Sequence, residues 1–331
     1  MNAALFAGVA PGLEGVAADE LRACGFTEVN PLAGGVAFRG DPLDANRRLA
    51  VPTRILQRVA RFPARTFEQL VAGAKAVDWT PFGGLTPQVT CHASRLYHSG
   101  AVAERLAGVV PAGEGTLFAR VARDRCTLSV DTSGERLHRR GWRLENGPAP
   151  LRETLAAGLL RLAGWAPGMA LHDPMCGSGT FLIEAACAAA GLAPGRLRAF
   201  ACEAWCAQRS VVSGSAVPTA IDGGDRAAAA IDAARRNAER AGVEVAFTVR
   251  DARDAVPTCE TGLFVCNPPY GRRARGPGAY AALGALLAGP FAGWSAAILC
   301  PDEDAVTALG RAPRVRHRVR NGGLPLEWVV C

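Results

Sequence analysis

Two short stretches carry residue types whose spacing could do chemistry: DPMCGSGTF at residues 173–181 and FVCNPPYGRR at residues 264–273. In the first, Gly177 and Gly179 permit a tight turn and let a ligand approach the backbone, and a helix beginning near Thr180 would offer unpaired N–H groups. The third glycine of a dinucleotide fingerprint and the Gly-Lys-Ser/Thr of a phosphate loop are both missing. In the second stretch, Pro268 and Pro269 stop a buried strand and fix the carbonyls around them, directly after the amide of Asn267 and before the ring of Tyr270. A rigid loop at a strand's end is where α/β enzymes place their chemistry.

Carboxylates recur at the ends of consecutive expected strands: Asp173, Asp225 in IDGGDRAA, and Asp251 in VRDARD. Asp225 stands where a carboxylate can accept hydrogen bonds from both hydroxyls of a ribose. It lies 48 residues after Gly177 because residues 191–216 read as an insertion containing Trp205. Asp222 competes for that role or serves as a turn or N-cap residue. Asp251 can accept from an adenine amino group, with Asp254 beyond it as a helix cap. Several carboxylates would repel a pyrophosphate, so the set favours an adenosyl ligand without phosphates, S-adenosylmethionine, over NAD.

That ligand gives the second stretch a purpose. The lone pair of an exocyclic amine on a nucleobase is delocalised into the ring, which makes it a poor nucleophile. The amide oxygen of Asn267 and the carbonyl of Pro268 can accept from its two N–H groups and favour the tetrahedral nitrogen, while Tyr270 stacks on the base. Positioning and preorganised acceptors suffice, with neither a metal nor a strong general base.

The elements that must hold these residues fall into two patterns. From Leu151 to Cys331 strands and helices alternate, the signature of a parallel, doubly wound α/β sheet, and the chain closes on two alternating strands around Asn321-Gly322-Gly323, a hairpin signal. Residues 1–62 and 63–137 read as two small α+β units whose strands share one sheet with helices packed on a face, and residues 138–150 read as a linker.

Composition narrows the class. With 49% apolar and 20% charged residues in 331, disorder is not the default. No secretory leader and no run of 18 apolar residues is visible, so a cytoplasmic protein is expected. The 11 cysteines are not spaced as metal-ligand pairs; Cys202 and Cys206, four apart, lack histidine neighbours, and reduced buried thiols are expected. The net charge of +7 is shared as +4 over residues 1–150 and +3 over the rest, and Lys75 is the only lysine. Guanidinium forks suit phosphate and stack on bases, although a codon bias would also enrich arginine. Arg272, Arg273 and Arg275 follow NPPY and can grip phosphates around an extruded base. Arg314, Arg316, Arg318 and Arg320 alternate onto one strand face, either for RNA or as a charged edge. His98 and His138 have no partners that would make them catalytic.

DPMCGSGTFLIEAA and NPPYG together resemble the class I S-adenosylmethionine-dependent amino-methyltransferases, and closely resemble the RlmL-type RNA guanine-N2 methyltransferases. GLEGVAADELRACGF and GGVAFRGD are similar to that family's N-terminal ferredoxin-like part, SRLYHSGAVAERL to its THUMP RNA-binding domain, and LHRRGWRLENGPAPLRETLAA to its linker and first catalytic helix. The resemblance implies a Rossmann-like methyltransferase domain with a mostly parallel seven-stranded sheet at 151–331. It implies cofactor contacts at Asp173, Pro174, Met175, Cys176, Gly177, Ser178, Gly179, Thr180, Asp225, Arg226, Asp251 and Ala252, and catalysis by Asn267, Pro268, Pro269 and Tyr270. Arg95 and Arg140, in the RNA-side segments, join the three arginines after NPPY as RNA contacts. The expected partner is structured RNA, large-subunit ribosomal RNA ahead of transfer RNA, bound by a monomer without membrane or metal. Fused relatives carry a second methyltransferase, and this chain shows one. Adenine in DNA, a protein glutamine, and a non-catalytic RNA-binding role are the competing readings.

Overall fold

The computed structural model describes residues 2–145, 151–207, 214–270 and 278–331. They form two compact units, one of Met1–Val9, Ala17–Leu137 and Ala199–Val211, the other of Ala10–Val16, His138–Arg198 and Val212–Cys331. The segment expected as an insertion in the second half is therefore divided, and Trp205 meets Phe82 edge-on at 5.7 Å inside the first unit.

The first unit is built on β1 (Ala3–Gly8), α1 (Glu14–Ala23), β2 (Thr27–Leu32), β3 (Gly35–Gly40), α2 (Pro42–Arg48), β4 (Arg54–Pro63), α3 (Phe67–Lys75), β5 (Leu85–His92), α4 (Ser99–Ala107), β6 (Gly115–Ala122) and β7 (Arg125–Asp131). Its strands make one seven-stranded sheet in the order β2-β3-β1-β4-β7-β6-β5. β4 pairs with β1 on one side and β7 on the other, so the sheet runs on without a break past residue 62. Two of its strands are absent from the sequence reading. Pro31 conceals β2, and as an edge strand bonded only to β3 it tolerates a residue without an N–H. β6 was legible in the alternation of Leu117, Ala119 and Val121, all buried, with Phe118 and Arg120. Leu70 and Ala74 of α3 and Val102 and Leu106 of α4 pack with Leu117, Val121, Leu128 and Val130 in the core on one sheet face.

A buried polar knot closes this unit. Asn46 of α2 donates to the carbonyl of Pro42 and to Thr132 Oγ1, both at 2.8 Å, and accepts from Ser133 Oγ at 2.6 Å. Those partners follow β7, so one amide ties a helix to the end of a strand 86 residues away.

The second unit contains α5 (Glu153–Leu162), β8 (Leu171–Asp173), α6 (Thr180–Ala189), β9 (Ile221–Asp225), α7 (Ala228–Ala241), β10 (Ala246–Val249), β11 (Leu263–Cys266), α8 (Ala279–Ala288), β12 (Ser295–Cys300), α9 (Glu303–Ala308), β13 (Val315–Asn321) and β14 (Leu324–Val330). The expected seven-stranded sheet is present in the order β10-β9-β8-β11-β12-β14-β13, parallel from β10 to β12 and antiparallel through the last hairpin. β11 is buried at all four positions, as a central parallel strand covered on both faces requires. Gly322 and Gly323 both take positive φ, which a two-residue hairpin loop demands when Asn321 pairs with Leu324. Among the described residues, no helix is long and apolar enough to cross a membrane.

Replacing Asn46 by Ala should lower the unfolding free energy by about 2 kcal/mol, because buried hydroxyls lose their partner. Urea unfolding of the variant checks this; an unchanged midpoint would mean that the knot contributes nothing.

Candidate active site

β8, β9 and β11 are parallel and in register, with Asp173 opposite Gly223 and Phe264 opposite His172, so their C-terminal ends open on one edge of the sheet. A cavity of about 580 Å³ lies there. Its lining brings together Asp173, Pro174, Met175, Cys176, Gly177, Ser178 and Thr180 of the glycine turn, Asp225 and Arg226 after β9, Asp251 and Ala252 after β10, and Asn267, Pro268 and Pro269 after β11. Residues separated by nearly a hundred positions thus meet because each directly follows a strand of one sheet.

The turn is held by carboxylates. Asp173 Oδ1 accepts from the Met175 amide at 3.0 Å, Asp225 Oδ2 accepts from the Gly177 amide at 3.1 Å, and Asp225 Oδ1 accepts from Ala227 at 2.9 Å. Each oxygen of Asp225 keeps a free lone pair for a ligand hydroxyl. Gly177 has φ +53, and a Cβ there would meet nothing within 4 Å, so the backbone itself faces the cavity. This lining fits S-adenosylmethionine: a bare backbone turn and carboxylates for hydroxyls and cationic groups, with Arg143 and Arg253 of the lining already paired to Glu153 and Asp251.

Burial sets the charge states. Asp173 is buried, which pushes its carboxyl up to about 8, and the neighbouring charge of Asp225 adds to the rise. The thiols of Cys176 and Cys266 are pushed well up by the same desolvation, then by Asp173, which leaves them as neutral packing groups rather than nucleophiles. Asp251 is held well below the usual carboxylate range by Arg253, whose Nε and Nη2 donate to it at 2.9 and 3.0 Å. An adenine amino group at Asp251 would share that carboxylate with the guanidinium.

Asn267 extends from the end of β11 into the cavity, and its Oδ1 is buried without a hydrogen-bond partner among the described residues. An orphaned buried acceptor costs about 1–3 kcal/mol, so its retention here points to a ligand that supplies the donor. Tyr270, expected to stack on the base, stands just beyond the lining. It does not line the cavity, and its hydroxyl accepts from Asn321 Nδ2 at 2.7 Å, which anchors the ring to the last hairpin.

Other expectations are corrected by packing. Arg140 is not an RNA contact: it is buried, and its guanidinium pairs with Glu184 of α6 at 3.2 Å. Gly179 does not line the cavity; at φ +85 it precedes α6, and a Cβ there would lie 2.9 Å from the Phe247 ring. Arg95 is exposed in the first unit. Arg272, Arg273 and Arg275 lie outside the described residues. Of the alternating arginines on β13, an edge strand, Arg316 pairs with both oxygens of Glu303.

Sequence reasoning missed Arg143, which was read as linker. Its Nη2 donates to Thr180 Oγ1 at 2.8 Å and Ser178 Oγ at 3.3 Å, and its Nη1 to the Leu151 carbonyl at 2.5 Å and to Glu153 at 3.3 Å. It thus clasps the glycine turn from the side and lines the cavity. Asn237 of α7 supports the same turn by donating to the Ser178 carbonyl at 3.3 Å. Only the juxtaposition of RGWR with an acidic helix start at Glu153 hinted at this pairing in the sequence.

The fold order and this site define an S-adenosylmethionine-dependent methyltransferase. Residues 140–329 match the model of the RMKL-like methyltransferase domain and residues 4–59 that of the RlmL ferredoxin-like domain. The chain belongs to the RMKL-like methyltransferase family. It is 36% identical to a ribosomal RNA large subunit methyltransferase K/L of Syntrophotalea carbinolica, over 96% of this chain and 52% of that protein. The chain therefore spans about half the length of the K/L relatives it matches. A Synechocystis protein named for RNA methyltransferase activity, slr0064, is 32% identical over 97% of this chain and 94% of its own. Among solved structures, SMU.472, described as a methyltransferase and solved in complex with SAH, superposes with a TM-score of 0.88 at 28% identity, covering 99% and 97% of the two chains. A Listeria monocytogenes protein described as an N6-adenine-specific DNA methylase gives 0.88 at 27%, covering 99% and 96%.

Replacing Arg143 by Ala should cost about 3 kcal/mol of stability, because Glu153 stays buried without its guanidinium, and should weaken S-adenosylhomocysteine binding at least tenfold; calorimetry and thermal melts read both. Asp173 gives a pH signature. Its folded pKa lies above the unfolded value, so the folded state holds a proton that the unfolded chain has released, and stability falls as pH rises from about 4 to about 8. The Asp173→Asn variant should flatten that part of the profile, and a parallel profile would exclude the effect.

Proposed function

We propose that this chain methylates the exocyclic N2 amine of a guanosine in RNA, with large-subunit ribosomal RNA as the substrate. The observation that carries the reading is the unpartnered, buried Oδ1 of Asn267, a residue that lines the cavity. When bound, S-adenosylmethionine supplies a methyl group activated by its sulfonium. The chain's own part is to orient and polarise the amine. Asn267 Oδ1 and the Pro268 carbonyl accept its two N–H groups, which draws the lone pair out of conjugation with the base. Pro268 is buried and Pro269 follows it, so the acceptor carbonyl does not swing. The neutral thiols and the proton-holding Asp173 leave no strong base in the pocket, and the reaction needs none, since a methylated ammonium releases its proton readily. A paired guanosine must leave its stack to reach Asn267.

The names of the K/L and slr0064 relatives support RNA over DNA, and the K/L names support ribosomal RNA. The adenine-specific description of the Listeria protein favours a second reading, an adenine N6 amine, which the same acceptor pair would serve. The THUMP-like assignment of residues 63–137 is part of the proposal and favours RNA in either case.

Labelled S-adenosylmethionine, incubated with the protein and unmodified ribosomal RNA, should yield N2-methylguanosine by nucleoside mass spectrometry. Asn267→Ala should lower the rate by about 10²–10³ with cofactor affinity retained. N6-methyladenosine as the product would replace the guanosine reading, and equal transfer by the variant would remove Asn267 from the mechanism.

A further inference from the structure

The core of the first unit covers only one face of its seven-stranded sheet. The side chains of the other face follow from the register. Phe6 of β1 lies opposite Leu56 of β4, Arg58 opposite Ser129 of β7, and Ser129 opposite Phe118 of β6. One row further along, Arg61 stands opposite Thr127, Thr127 opposite Arg120, and Arg120 opposite Thr90 of β5. Arg61, Arg120, Thr90 and Gln88 are exposed, and Phe6, Arg58 and Phe118 are half-buried. β1, β4 and β6 therefore present arginines and phenylalanines on one surface, with Thr127 and Ser129 of β7 between them and Thr90 and Gln88 of β5 beyond.

The charges on this surface are not neutralised from within. Arg58, Arg61 and Arg120 make no ion pair among the described residues, while Arg54 pairs with Asp131, the acidic side chain that these strands contribute to the face. Arg58 Cζ sits over the Phe6 ring at 4.3 Å and Arg54 Cζ over Phe118 at 5.2 Å, so guanidiniums rest on the aromatic rings of this face. Burial, then Arg61 and Arg120, lowers the pKa of Arg58: the cluster repels itself. Such self-repulsion disfavours the compact state, and a polyanion lying across the cluster would relieve it.

We propose that the open face of β1-β4-β7-β6-β5 is a docking surface for a single-stranded segment of the RNA substrate. The inference rests on the RNA reading above and adds where the strand lies. Arg61 and Arg120 are separated by two strand spacings, about 10 Å, and flank the hydroxyl of Thr127 across the sheet. Phosphates meet the exposed guanidiniums of Arg61 and Arg120, and bases stack on the guanidiniums of Arg58 and Arg54 that cover Phe6 and Phe118, a contact that is tolerant of sequence. A duplex is disfavoured, because a broad sheet does not enter the deep, narrow major groove of A-form RNA. A second copy of this chain docking through the same face would set arginine against arginine.

The test uses the full chain carrying Asn267→Ala, so that binding is read without turnover. Fluorescence anisotropy compares a single-stranded RNA with a duplex of equal length across a salt series. Adding Arg61→Gln and Arg120→Gln should weaken single-strand binding at least tenfold and reduce the slope of log affinity against log salt by about 1.4. Arg22→Gln with Arg48→Gln, an equal loss of charge on α1 and α2, should leave it within twofold. Thermal melts and S-adenosylhomocysteine binding report folding in each variant. Unchanged affinity and slope in the sheet variant would overturn the docking surface while leaving methyl transfer to RNA by the otherwise unsubstituted chain intact. Equal or tighter binding of the duplex, or of an oligoglutamate, would overturn it as well. Single-strand binding lost through the sheet variant, with no transfer to any RNA by the unsubstituted chain, would instead uphold the surface and remove the methylation reading.

Discussion

A glycine turn that receives a ligand on bare backbone has no side chains of its own to keep it open, and here Asp225 performs that task. Its carboxylate holds the Gly177 amide with one oxygen and the start of α7 with the other. The turn, the helix and the strand end thereby become one rigid object. Asp173 secures the other side of the turn, but it does so from a buried position, and the charge on Asp225 discourages it from ionising. The site thus sets a carboxyl that tends to keep its proton beside Asp225, with Asp251 held ionised by Arg253 on the same cavity. That pairing suits a ligand with hydroxyls and a cation better than one with phosphates.

A second layer of support comes from a segment without regular structure. Residues 138–145 contribute Arg140 to Glu184, Arg143 to Glu153 and the hydroxyls of the turn, and Glu145 to Arg236 and Arg240. Breaking one buried member of such a set costs about 3–5 kcal/mol, because the partner charge is stranded away from water. The exposed Glu145 pairs contribute little by comparison. A stretch without periodicity therefore fixes the cofactor turn more firmly than a helix cap would.

The first unit relies on a different constraint. Its sheet buries one face and leaves the other polar, which is the arrangement open to antiparallel and mixed sheets. A surface of unpaired arginines on rigid strands is more ordered than the same charges on loops, so it can bind an extended polyanion at little conformational cost. Net charge alone gave no such localisation, since both halves of the sequence are modestly basic.

Much of the catalytic unit was legible in the residues themselves. The alternation of strands and helices, the NPPY loop, the three aspartates and the hairpin at Asn321-Gly322-Gly323 are local signals, and strand ends in a parallel sheet must converge on one edge. Local pattern could not say that Arg140 turns inward to Glu184, that Tyr270 is anchored by Asn321, or that Arg253 occupies Asp251. Those outcomes depend on which distant group a long side chain meets, and burial then decides its charge and freedom. The same holds for the basic sheet face: β6 escaped the sequence reading, and only the register of β4, β7 and β6 places Arg58, Arg61 and Arg120 side by side. Periodicity determines which face of a strand is polar, and pairing determines what that face becomes.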